Sequence, residues 1–429
     1  MIIGDALEAP RERTTLLRLT AGELQEKYNR RTYHFRESGS GLVIAEGEEE
    51  VGYLNNGCTM INAVPGRLYG YEPGRGYLCI WGTDVIFPYL TAPLQLLRYF
   101  DAKGMEEHYC ITDKKIVCIN DTTWNEMSSD KGGTCAALFH DRLFTAKGFR
   151  VNYSRALNGN DWTPKHYGPG YIELFSDEMG EILGMLPYKD KLYLMRSHGI
   201  TYLRALGDEL NFKAVHMPMK CGKLIAHSAA ACGEYIGYFT DGGFYLFNGA
   251  VSTLAPNARH DEIDFKAPVK AFAYSGKYYA LVSKKAGGTT VYCYDPEWRE
   301  GHFIENGAID LAVGDEVYFV RSNTVYRLIP KGISKYSIPY FTAENIGLSL
   351  NETKMLRSLL IEGEGEFRVR ITSNRGSRTV KGEAGKILKL SSPLRGNGFS
   401  LKIRFESDYA ERVIFQAVQL RITEESNEN

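Results

Sequence analysis

Short apolar stretches recur along the chain, and each follows a turn residue and a charged residue. Clear copies are Gly66-Arg67-Leu68-Tyr69, Asp190-Lys191-Leu192-Tyr193 and Gly276-Lys277-Tyr278-Tyr279. The third residue of the string falls at positions 68, 108, 143, 192, 235, 278 and 317, which gives spacings of 40, 35, 49, 43, 43 and 39 residues; the copies at 108 and 235 fit loosely. Asp and Gly favour turns, and Tyr and Phe fit a pleated, half-buried surface. The pattern therefore predicts seven copies of one β unit.

A second turn and a second apolar run follow these copies. Tyr77 to Ile80 comes after Pro73 to Gly76, and Phe244 to Phe247 comes after Asp241-Gly242-Gly243. Two apolar runs joined by such a turn indicate a β-hairpin. A repeat of about 40 to 50 residues with several short strands is typical of a β-propeller blade, and propellers close with about four to eight blades. We predict a six- or seven-bladed β-propeller over residues 41–330. A row of antiparallel sandwiches with coincidental spacing is the alternative.

The first and last parts of the propeller set its blade count. The closing strand can come from residues 41–63, near the N-terminus. The sequence therefore leaves the blade count open by one.

Strict alternation replaces the repeat beyond Pro330. Phe367, Val369 and Ile371 alternate with arginines, and the same period of two runs through 399–405 and 418–422. A period of two with one apolar side indicates sheets that cover a core on one face and meet solvent on the other. We predict a separate C-terminal β-sandwich over residues 331–429. It carries 16 Lys plus Arg and 12 Asp plus Glu, a surplus of four positive charges that is typical of a solvated face.

The first forty residues differ from both regions and are predicted to form an N-terminal arm, residues 1–40. Thr20 and Glu23 resemble a capping box ahead of Leu24 and Tyr28, which favours a short helix. The stretch 11–36 is basic, and 46–50 is acidic. Such an arm either packs on its own propeller or reaches a neighbouring subunit, and the sequence leaves both open.

Composition narrows the class of protein. The 429 residues include 44 Gly, 28 Tyr and 20 Phe but only 4 Trp, and the formal net charge is −1. This mixture favours many short strands, and a net charge near zero gives no global field that would gather nucleic acid or an anionic membrane. No apolar stretch is long enough for a spanning helix, so no membrane insertion is expected. The eight cysteines form no Cys-x-x-Cys pair and are interpreted as reduced core thiols.

The usual signatures of catalysis are missing from the sequence. The nine histidines show no His-x-x-x-His spacing, and no Gly-x-Ser-x-Gly, phosphate-binding lysine loop or dinucleotide-binding glycine motif occurs. Asp241-Gly242-Gly243 lacks the ligand spacing of a calcium loop and is predicted to be a hairpin turn. We therefore predict no catalytic, metal-binding or cofactor-binding residue and no cofactor. Glycoside hydrolysis needs only two placed carboxylates and stays the default enzymatic alternative.

One segment resembles a turn known from sialidase propellers. Ser154 to Trp162 is similar to the Asp-box, with Ala156 where that motif has its Asp. The Asp-box is a structural turn, so Asp161 and Trp162 are predicted to cap a blade, with Trp162 wedged between two blades.

The segment 140–148, together with Tyr153-Ser154 and Asp161-Trp162, resembles the β-propeller tail proteins of bacteriophages. This family includes the nozzle and packaged-DNA stabilisation proteins of short-tailed phages. Pro187 to Tyr193 and Tyr238 to Gly249 fit the same family, and the likeness spans roughly 135 to 255. The motifs encode blade geometry and no reaction.

The resemblance implies a structural virion protein that is not an enzyme. Such a subunit forms a ring by self-association, supports other tail or connector proteins, and is assembled in the host cytoplasm and carried on the virion tail; DNA in the channel would touch it passively. Our hypothesis is that residues 1–40 and 331–429 make the interfaces with neighbouring subunits and with partner proteins, while the propeller sets the spacing of the subunits. A carbohydrate-binding or glycoside-cleaving propeller and a receptor-binding tail protein are the alternatives.

Overall fold

The described part of the chain is built from strands. The computed structural model describes residues 13–20, 31–33, 35–38, 41–44, 47–54, 57–88, 90–120, 123–128, 130–164, 168–175, 178–205, 207, 211–297, 299–304, 307–329, 340–347, 353–405 and 414–425. These residues contain no α-helix, and thus no helix that could cross a membrane; a 3₁₀ turn covers His260–Glu262. The predicted capping box and helix at Thr20 to Tyr28 lie outside the described residues, apart from Thr20 itself at the end of a strand.

In the part of the chain before residue 55 that the structure describes, five strands precede the repeats. They are β1 (Arg13–Thr20), β2 (Arg31–Tyr33), β3 (Phe35–Ser38), β4 (Gly41–Ile44) and β5 (Gly47–Tyr53).

The repeats form seven four-stranded antiparallel sheets, numbered here in chain order. Sheet 1 holds β6 (Met60–Val64), β7 (Arg67–Glu72), β8 (Tyr77–Ile80) and β9 (Ile86–Phe87), and sheet 2 holds β10 (Gln95–Phe100), β11 (Glu106–Ile111), β12 (Ile116–Asn120) and β13 (Thr123–Ser128). Sheet 3 holds β14 (Cys135–Phe139), β15 (Arg142–Lys147), β16 (Arg150–Tyr153) and β17 (Gly170–Glu173), and sheet 4 holds β18 (Ile182–Tyr188), β19 (Lys191–Arg196), β20 (Gly199–Arg204) and β21 (Lys213–Pro218). Sheet 5 holds β22 (Ala230–Cys232), β23 (Tyr235–Thr240), β24 (Gly243–Phe247) and β25 (Ser252–Leu254), and sheet 6 holds β26 (Lys270–Tyr274), β27 (Lys277–Ser283), β28 (Thr289–Asp295) and β29 (Glu300–Ile304). Sheet 7 holds β30 (Asp310–Val313), β31 (Val317–Arg321) and β32 (Thr324–Ile329), with β5 as its fourth strand.

These sheets follow one another around a closed circuit. The first strand of each sheet contacts the first strand of the next, and β30 of sheet 7 contacts β6 of sheet 1. All seven positions of the sequence repeat lie in second strands, and the second apolar runs lie in third strands. The all-β, propeller-like arrangement predicted from the repeat is therefore confirmed. Buried apolar clusters lie between neighbouring sheets, as stacked blades require.

Seven further strands lie in the described residues after 329. They are β33 (Tyr340–Ile346), β34 (Thr353–Glu364), β35 (Glu366–Ser373), β36 (Gly376–Glu383), β37 (Ile387–Gly396), β38 (Phe399–Phe405) and β39 (Ile414–Glu425).

The chain divides into a unit of residues 49–328 and a second unit that combines residues 1–48 with 329–429. In the second unit, one sheet runs β3-β4-β39-β34-β37 with β1 also paired to β39, and the other runs β2-β33-β38-β35-β36. One apolar core draws residues from both sheets. The predicted alternation is confirmed in β35, where Phe367, Val369 and Ile371 are buried while Arg368 and Arg370 are exposed.

The N-terminal strands differ from the arm expected for residues 1–40. β1 pairs with β39, so that Leu17 lies opposite Leu420 and Leu19 opposite Val418, and β2 pairs with β33. The physical reason is burial: Leu19 belongs to the same apolar core as the C-terminal strands. Arg18 adds a two-pronged ion pair with the Glu362 carboxylate, its Nε donating at 2.7 Å.

Candidate functional site

The seam between sheets 7 and 1 is where the circuit of sheets closes. β5, which lies inside the stretch 41–63 considered as a source of the closing strand, pairs with β32. The Leu54 amide continues this pairing by donating to the Asn323 carbonyl at 3.0 Å. Arg327 on β32 ion-pairs with Glu49 on β5 at 2.7 Å and with Glu316 at 3.1 Å. Both ends of the circuit are thus held in one sheet.

A buried carboxylate joins three sheets beside this seam. Asp310, at the start of β30, is 5% exposed. Its Oδ2 accepts from the Ile61 amide of sheet 1 at 2.7 Å, and its Oδ1 accepts from Lys270 Nζ of sheet 6 at 2.9 Å. Lys270 Nζ also donates to the Ile61 carbonyl at 2.8 Å. This network is called the Asp310 clasp below, and it fixes the first strands of sheets 6, 7 and 1 to one another.

A cleft of about 550 Å³ opens at the same seam. Its polar wall comprises Arg67, Trp81, Thr83, Asp315 and Tyr318, and apolar side chains of sheet 1 complete the lining. The Trp81 indole is held by its Nε1 donating to the Tyr53 carbonyl at 3.0 Å, and Asp315 Oδ2 accepts from the Gly66 amide at 2.5 Å. A concave site of this size, with aromatic faces beside a few fixed polar groups, suits a small polar ligand. A cleft of about 260 Å³ lies at the equivalent turns of sheets 5 and 6.

Sheets 1 and 2 are linked by a buried histidine. His108 on β11 is hydrogen-bonded through Nδ1 to the Tyr69 hydroxyl on β7 and through Nε2 to Glu106 Oε1 at 2.8 Å. The other Glu106 oxygen accepts from Arg98 at 3.0 Å. Burial lowers the pKa of His108, the Glu106 hydrogen bond opposes that change, and nearby Arg67 and Arg98 add to it. Burial also raises the pKa of Tyr69 to about 12.

Sheets 2 and 3 are linked through the segment that resembles an Asp-box. The Trp162 indole donates to the Gly159 carbonyl at 2.7 Å and is buried among side chains of both sheets, which confirms the predicted wedge. Tyr109 of sheet 2 donates to Glu107 Oε2 at 2.6 Å and lies 2.8 Å from Asn160 Oδ1. Burial, followed by the Glu107 hydrogen bond, raises the pKa of Tyr109 far above its ordinary value. The turn is therefore structural.

The Asp241-Gly242-Gly243 segment and the histidines are the remaining sequence candidates. Thr240 pairs with Gly243 around a two-residue turn, so the predicted hairpin at Asp241-Gly242 is confirmed. Within the ranges that the structure describes, no three His, Cys, Asp or Glu side chains form a cluster that could hold a metal ion. His34 and His166 lie outside those ranges.

Apolar side chains are exposed on or beside the outer strands of sheets 3, 4 and 5, and also on the outer strands of sheet 1 (Ile86) and sheet 7 (Val51 and Tyr53). We call the positions at sheets 3 to 5 the rim: Tyr171 on β17 and Phe175 two residues beyond it, Val215 on β21, and Leu254 on β25 with Val251 just before that strand, with Phe175 reaching 84% exposure. Arg150 stacks over the Tyr171 ring at 4.1 Å. Exposed apolar side chains on unpaired strand edges are typical of protein contact surfaces.

Neither the cleft nor the rim is marked by a motif in the sequence. Trp81 and Asp315 are 234 positions apart, so no local motif joins them. The rim residues fall in stretches with little alternation of apolar and polar positions. β21, for example, is exposed at five of its six residues, so it lacks the alternation that predicts a half-buried strand.

Comparisons with known proteins give no family. No family model matches the chain, and no curated protein matches it. Among solved structures, the chain is similar to the extracellular domain of BT4673 from B. thetaiotaomicron (TM-score 0.42, 10% identity, 80% of this chain and 48% of that one). It is also similar to the Pan2 WD40 domain of Neurospora crassa (TM-score 0.41, 9% identity, 68% of this chain and 96% of that one). Hsv2 of Kluyveromyces lactis has a TM-score of 0.40 and 10% identity over 68% of this chain and 94% of that one. The chain spans about half of the BT4673 domain.

Proposed function

We propose that the chain is a seven-bladed β-propeller joined to a β-sandwich, and that it serves as a ring-forming structural subunit of a bacteriophage tail. The seven four-stranded sheets with a closing strand from the N-terminal side support the blade count. The two sheets around one apolar core support the sandwich. In this role the protein holds other tail or connector proteins in place on the virion and catalyses no reaction.

The observation that carries the proposal is the apolar rim. The rim lies on sheets 3 to 5, which span residues 135–254, and the resemblance to phage tail propellers covers nearly the same stretch, 135 to 255. A ring needs head-to-tail contacts between two different surfaces of each subunit. The rim provides one apolar surface, and the unit built from both chain ends provides a second body that can carry the complementary surface.

The oligomeric state of the purified protein tests this role. Negative-stain electron microscopy and mass photometry are expected to show closed rings with a fixed subunit number. The rim variant, Phe175→Ser with Val215→Ser and Leu254→Ser, should dissociate the rings and keep the melting temperature of the propeller. The matched control replaces three exposed apolar residues elsewhere: Ile86→Ser, Met105→Ser and Ile309→Ser.

Either of two results would remove the ring proposal. The first is a monomeric wild-type protein at micromolar concentration; the second is equal dissociation of rim and control variants, which would show that the rim is not the interface.

The cleft favours a second candidate function, carbohydrate binding. Trp81 and Tyr318 offer aromatic faces next to the Arg67 and Asp315 side chains, a combination suited to stacking and hydrogen-bonding a sugar. Saturation-transfer NMR with a panel of glycans measures binding, and product analysis detects cleavage. Trp81→Ala removes one of the two aromatic faces that line the cleft. Binding that is unchanged by this substitution, or absent for every glycan, removes this candidate.

A further inference from the structure

Two of the seven sheets end in long, exposed outer strands. Among the fourth strands of the sheets, β9, β17 and β25 have only two, four and three residues, and β29 is buried along its whole length. Short or covered edges prevent unwanted pairing with other chains. β13 has six residues, but its described positions include no exposed large apolar side chain. β5 and β21, with seven and six residues, stand last in their sheets and combine length with exposed apolar surface.

Alternate side chains on these two strands match in kind. Residues two apart on a strand lie on the same face of a sheet. On each strand, one such face carries a charged residue, then an aliphatic residue, then a larger side chain. The two series are Lys213, Val215 and Met217 on β21, and Glu49, Val51 and Tyr53 on β5. Because the charges are of opposite sign and the other positions are apolar, the two edges are complementary when they run in the same direction.

Apolar members of both series are exposed. Val215 and Val51 are each more than a third exposed, and Tyr53 reaches 68%. The backbone at Tyr53 is held in place, because its carbonyl accepts from Trp81 Nε1 at 3.0 Å. Exposed apolar side chains on a fixed strand favour a protein contact, since little conformational entropy is lost when the contact forms.

The edge of sheet 4 is basic. Arg204 lies directly opposite Lys213, and Lys191 and Arg204 both lie over the ring of Tyr202, at 4.7 and 5.9 Å. None of these three cations makes an ion pair in the part of the chain that the structure describes. Like charges directly opposite one another are destabilising. An acidic strand beside β21 would therefore relieve repulsion as well as add attraction.

The edge of sheet 7 is acidic. Glu49 and Glu50 are consecutive exposed residues on β5. Arg327 is shared between Glu49, at 2.7 Å, and Glu316, at 3.1 Å. One guanidinium shared by two carboxylates leaves an excess of negative charge, and Glu50 adds to it. The two edges thus carry charges of opposite sign, which favours association between copies.

The two edges lie on different sides of the circuit. Sheet 4 and sheet 7 are three steps apart among the seven sheets, and the order of the sheets is fixed by contacts between their first strands. The β21 edge of one copy can therefore meet the β5 edge only of another copy. Such a contact joins two different surfaces, so it continues from copy to copy and closes into a ring when the rotation allows.

We propose that β21 of one copy pairs in parallel with β5 of the next copy, which places Lys213 beside Glu49 and Val215 beside Val51. Main-chain hydrogen bonds between the two edges supply affinity, and the alternating side chains select the register. The choice of a second copy as the partner follows from the fit between two edges of one chain. The pairing rests on the proposed ring, in which β21 belongs to the rim and β5 is the surface that receives it.

Disulfide cross-linking between copies tests the pairing on the full chain. Val215→Cys and Val51→Cys variants, both with Cys221→Ser, are mixed and exposed to oxidised glutathione. Side chains that face one another on adjacent strands have Cβ atoms about 5 Å apart, close to the spacing that a disulfide needs. We expect a cross-linked dimer whose bond joins positions 215 and 51, identified by mass spectrometry of the digested product. The control mixture, Val215→Cys with Ile86→Cys on the outer strand of sheet 1, should give at least about tenfold less cross-link.

Charge reversal tests the pairing without a new thiol. Lys213→Glu places a carboxylate beside Glu49, and like charges across an interface weaken binding strongly, so the dissociation constant between copies should rise at least about tenfold. Lys220→Glu, at an exposed lysine just beyond β21, is the matched control and should change the constant by less than about twofold. Sedimentation velocity measures both constants, and thermal melts verify that each variant is folded.

The outcomes separate this strand pairing from the ring itself. Equal cross-linking in the two mixtures, or equal effects of Lys213→Glu and Lys220→Glu, overturns the pairing; rings that persist in that case leave the ring role standing with a different contact. Cross-links specific to positions 215 and 51 in dimers or open filaments overturn the ring role and leave the pairing standing.

Discussion

Tyr99 of sheet 2 donates its phenolic hydrogen to the main-chain carbonyl of Asp141 in sheet 3 at 3.0 Å. Tyr188 of sheet 4 makes the equivalent bond to the Glu234 carbonyl of sheet 5. In both cases, a tyrosine near the end of a first strand reaches the turn between the first two strands of the next sheet. The ring packs between sheets while the hydroxyl satisfies a backbone acceptor, which explains part of the need for 28 tyrosines.

Removing the Tyr99 hydroxyl tests this account of the tyrosines. Tyr99→Phe keeps the buried ring and loses the bond to Asp141, so we expect the free energy of unfolding to fall by about 1 kcal/mol. Chemical denaturation followed by tryptophan fluorescence measures the change. Tyr171→Phe, on the exposed rim, is the control and should alter stability by less than about 0.5 kcal/mol. Equal effects of the two substitutions would contradict an energetic role for the bond.

Gly159 is required by a close approach between sheets. A Cβ at this position would lie 2.5 Å from the Tyr109 hydroxyl oxygen and 2.6 Å from Cζ, and Tyr109 is fully buried. Gly159→Ala should therefore destabilise the protein by about 1 to 3 kcal/mol, because the ring must shift away from Glu107. At the turn residue Gly74, an added Cβ meets no atom within 4 Å, so Gly74→Ala should be neutral or slightly stabilising. Thermal melts of the two variants compare their melting temperatures. Equal changes in melting temperature would show that the Tyr109 ring moves away from the added Cβ at no cost.

Asp310, the centre of the Asp310 clasp, should be among the side chains whose removal lowers the free energy of unfolding most. Asp310→Ala leaves the Ile61 amide and the Lys270 ammonium without their carboxylate acceptor, and because Lys270 is partly exposed we expect a loss of about 2 kcal/mol, below that of a fully buried pair. Because the clasp joins sheets 6, 7 and 1, the loss should also increase hydrogen exchange along β6 and β30. Glu234→Gln, in an exposed pair with Lys189, is the control and should change stability by about 0.5 kcal/mol or less. Loss of stability without faster exchange at the seam would argue against the clasp as the closing device.

The repeat was predictable because each blade is built from local hairpins. The turn residue and the alternating apolar run lie within one short segment, so the sequence indicates all seven second strands. The starts of the strands follow the repeated string less closely. In three clear copies the second strand begins at the charged residue of the string, at Arg67, Arg142 and Lys191. The second strands that begin at Glu106, Tyr235 and Val317 start one residue earlier or later within the string.

Long-range pairing was beyond the sequence. β1 contacts β39 across roughly 400 positions, and nothing within Arg13–Thr20 identifies that partner. The cations on β35 show the same dependence on long-range pairing. The alternation of Arg368 with Val369 was evident, and the charge surplus of the region was counted, but only register reveals that Arg368 faces Arg404. The cleft likewise depends on closure of the circuit of sheets, which brings Asp315 of sheet 7 beside the turn of sheet 1 that holds Gly66.

The His108 link predicts a pH dependence of stability. Burial holds the folded-state pKa of His108 below its ordinary value of 6.5, so between the two values the unfolded chain binds more protons than the folded one. The free energy of unfolding should therefore fall as the pH decreases below about 6.5. Glu106, whose pKa is lowered by its hydrogen bonds to His108 and Arg98, loses its contribution only at pH values below its ordinary 4.5.

Denaturation at about pH 7.5 and about pH 5.5 isolates the histidine. The wild type should lose more stability between these values than His108→Gln, which has no imidazole to protonate. The groups facing the ring are Tyr69, Glu106, Arg98 and Arg67. If His108→Gln loses as much stability as the wild type over the same interval, another group is responsible.

Thiol reactivity gives the last prediction. Seven of the eight cysteines are buried, and only Cys221 is partly exposed. Burial raises the pKa of Cys110 and of Cys135 to about 12, so at pH 8 only about one in ten thousand of these thiols is ionised and reactive. When native protein is treated with a disulfide reagent, one thiol per chain should therefore react rapidly, and the other seven should react only on unfolding. Cys221→Ser should abolish the rapid phase, whereas Cys110→Ser should leave it unchanged. A rapid phase of several equivalents would mean that the sheets open on the timescale of the reaction, because thiols between packed blades react only when the blades separate.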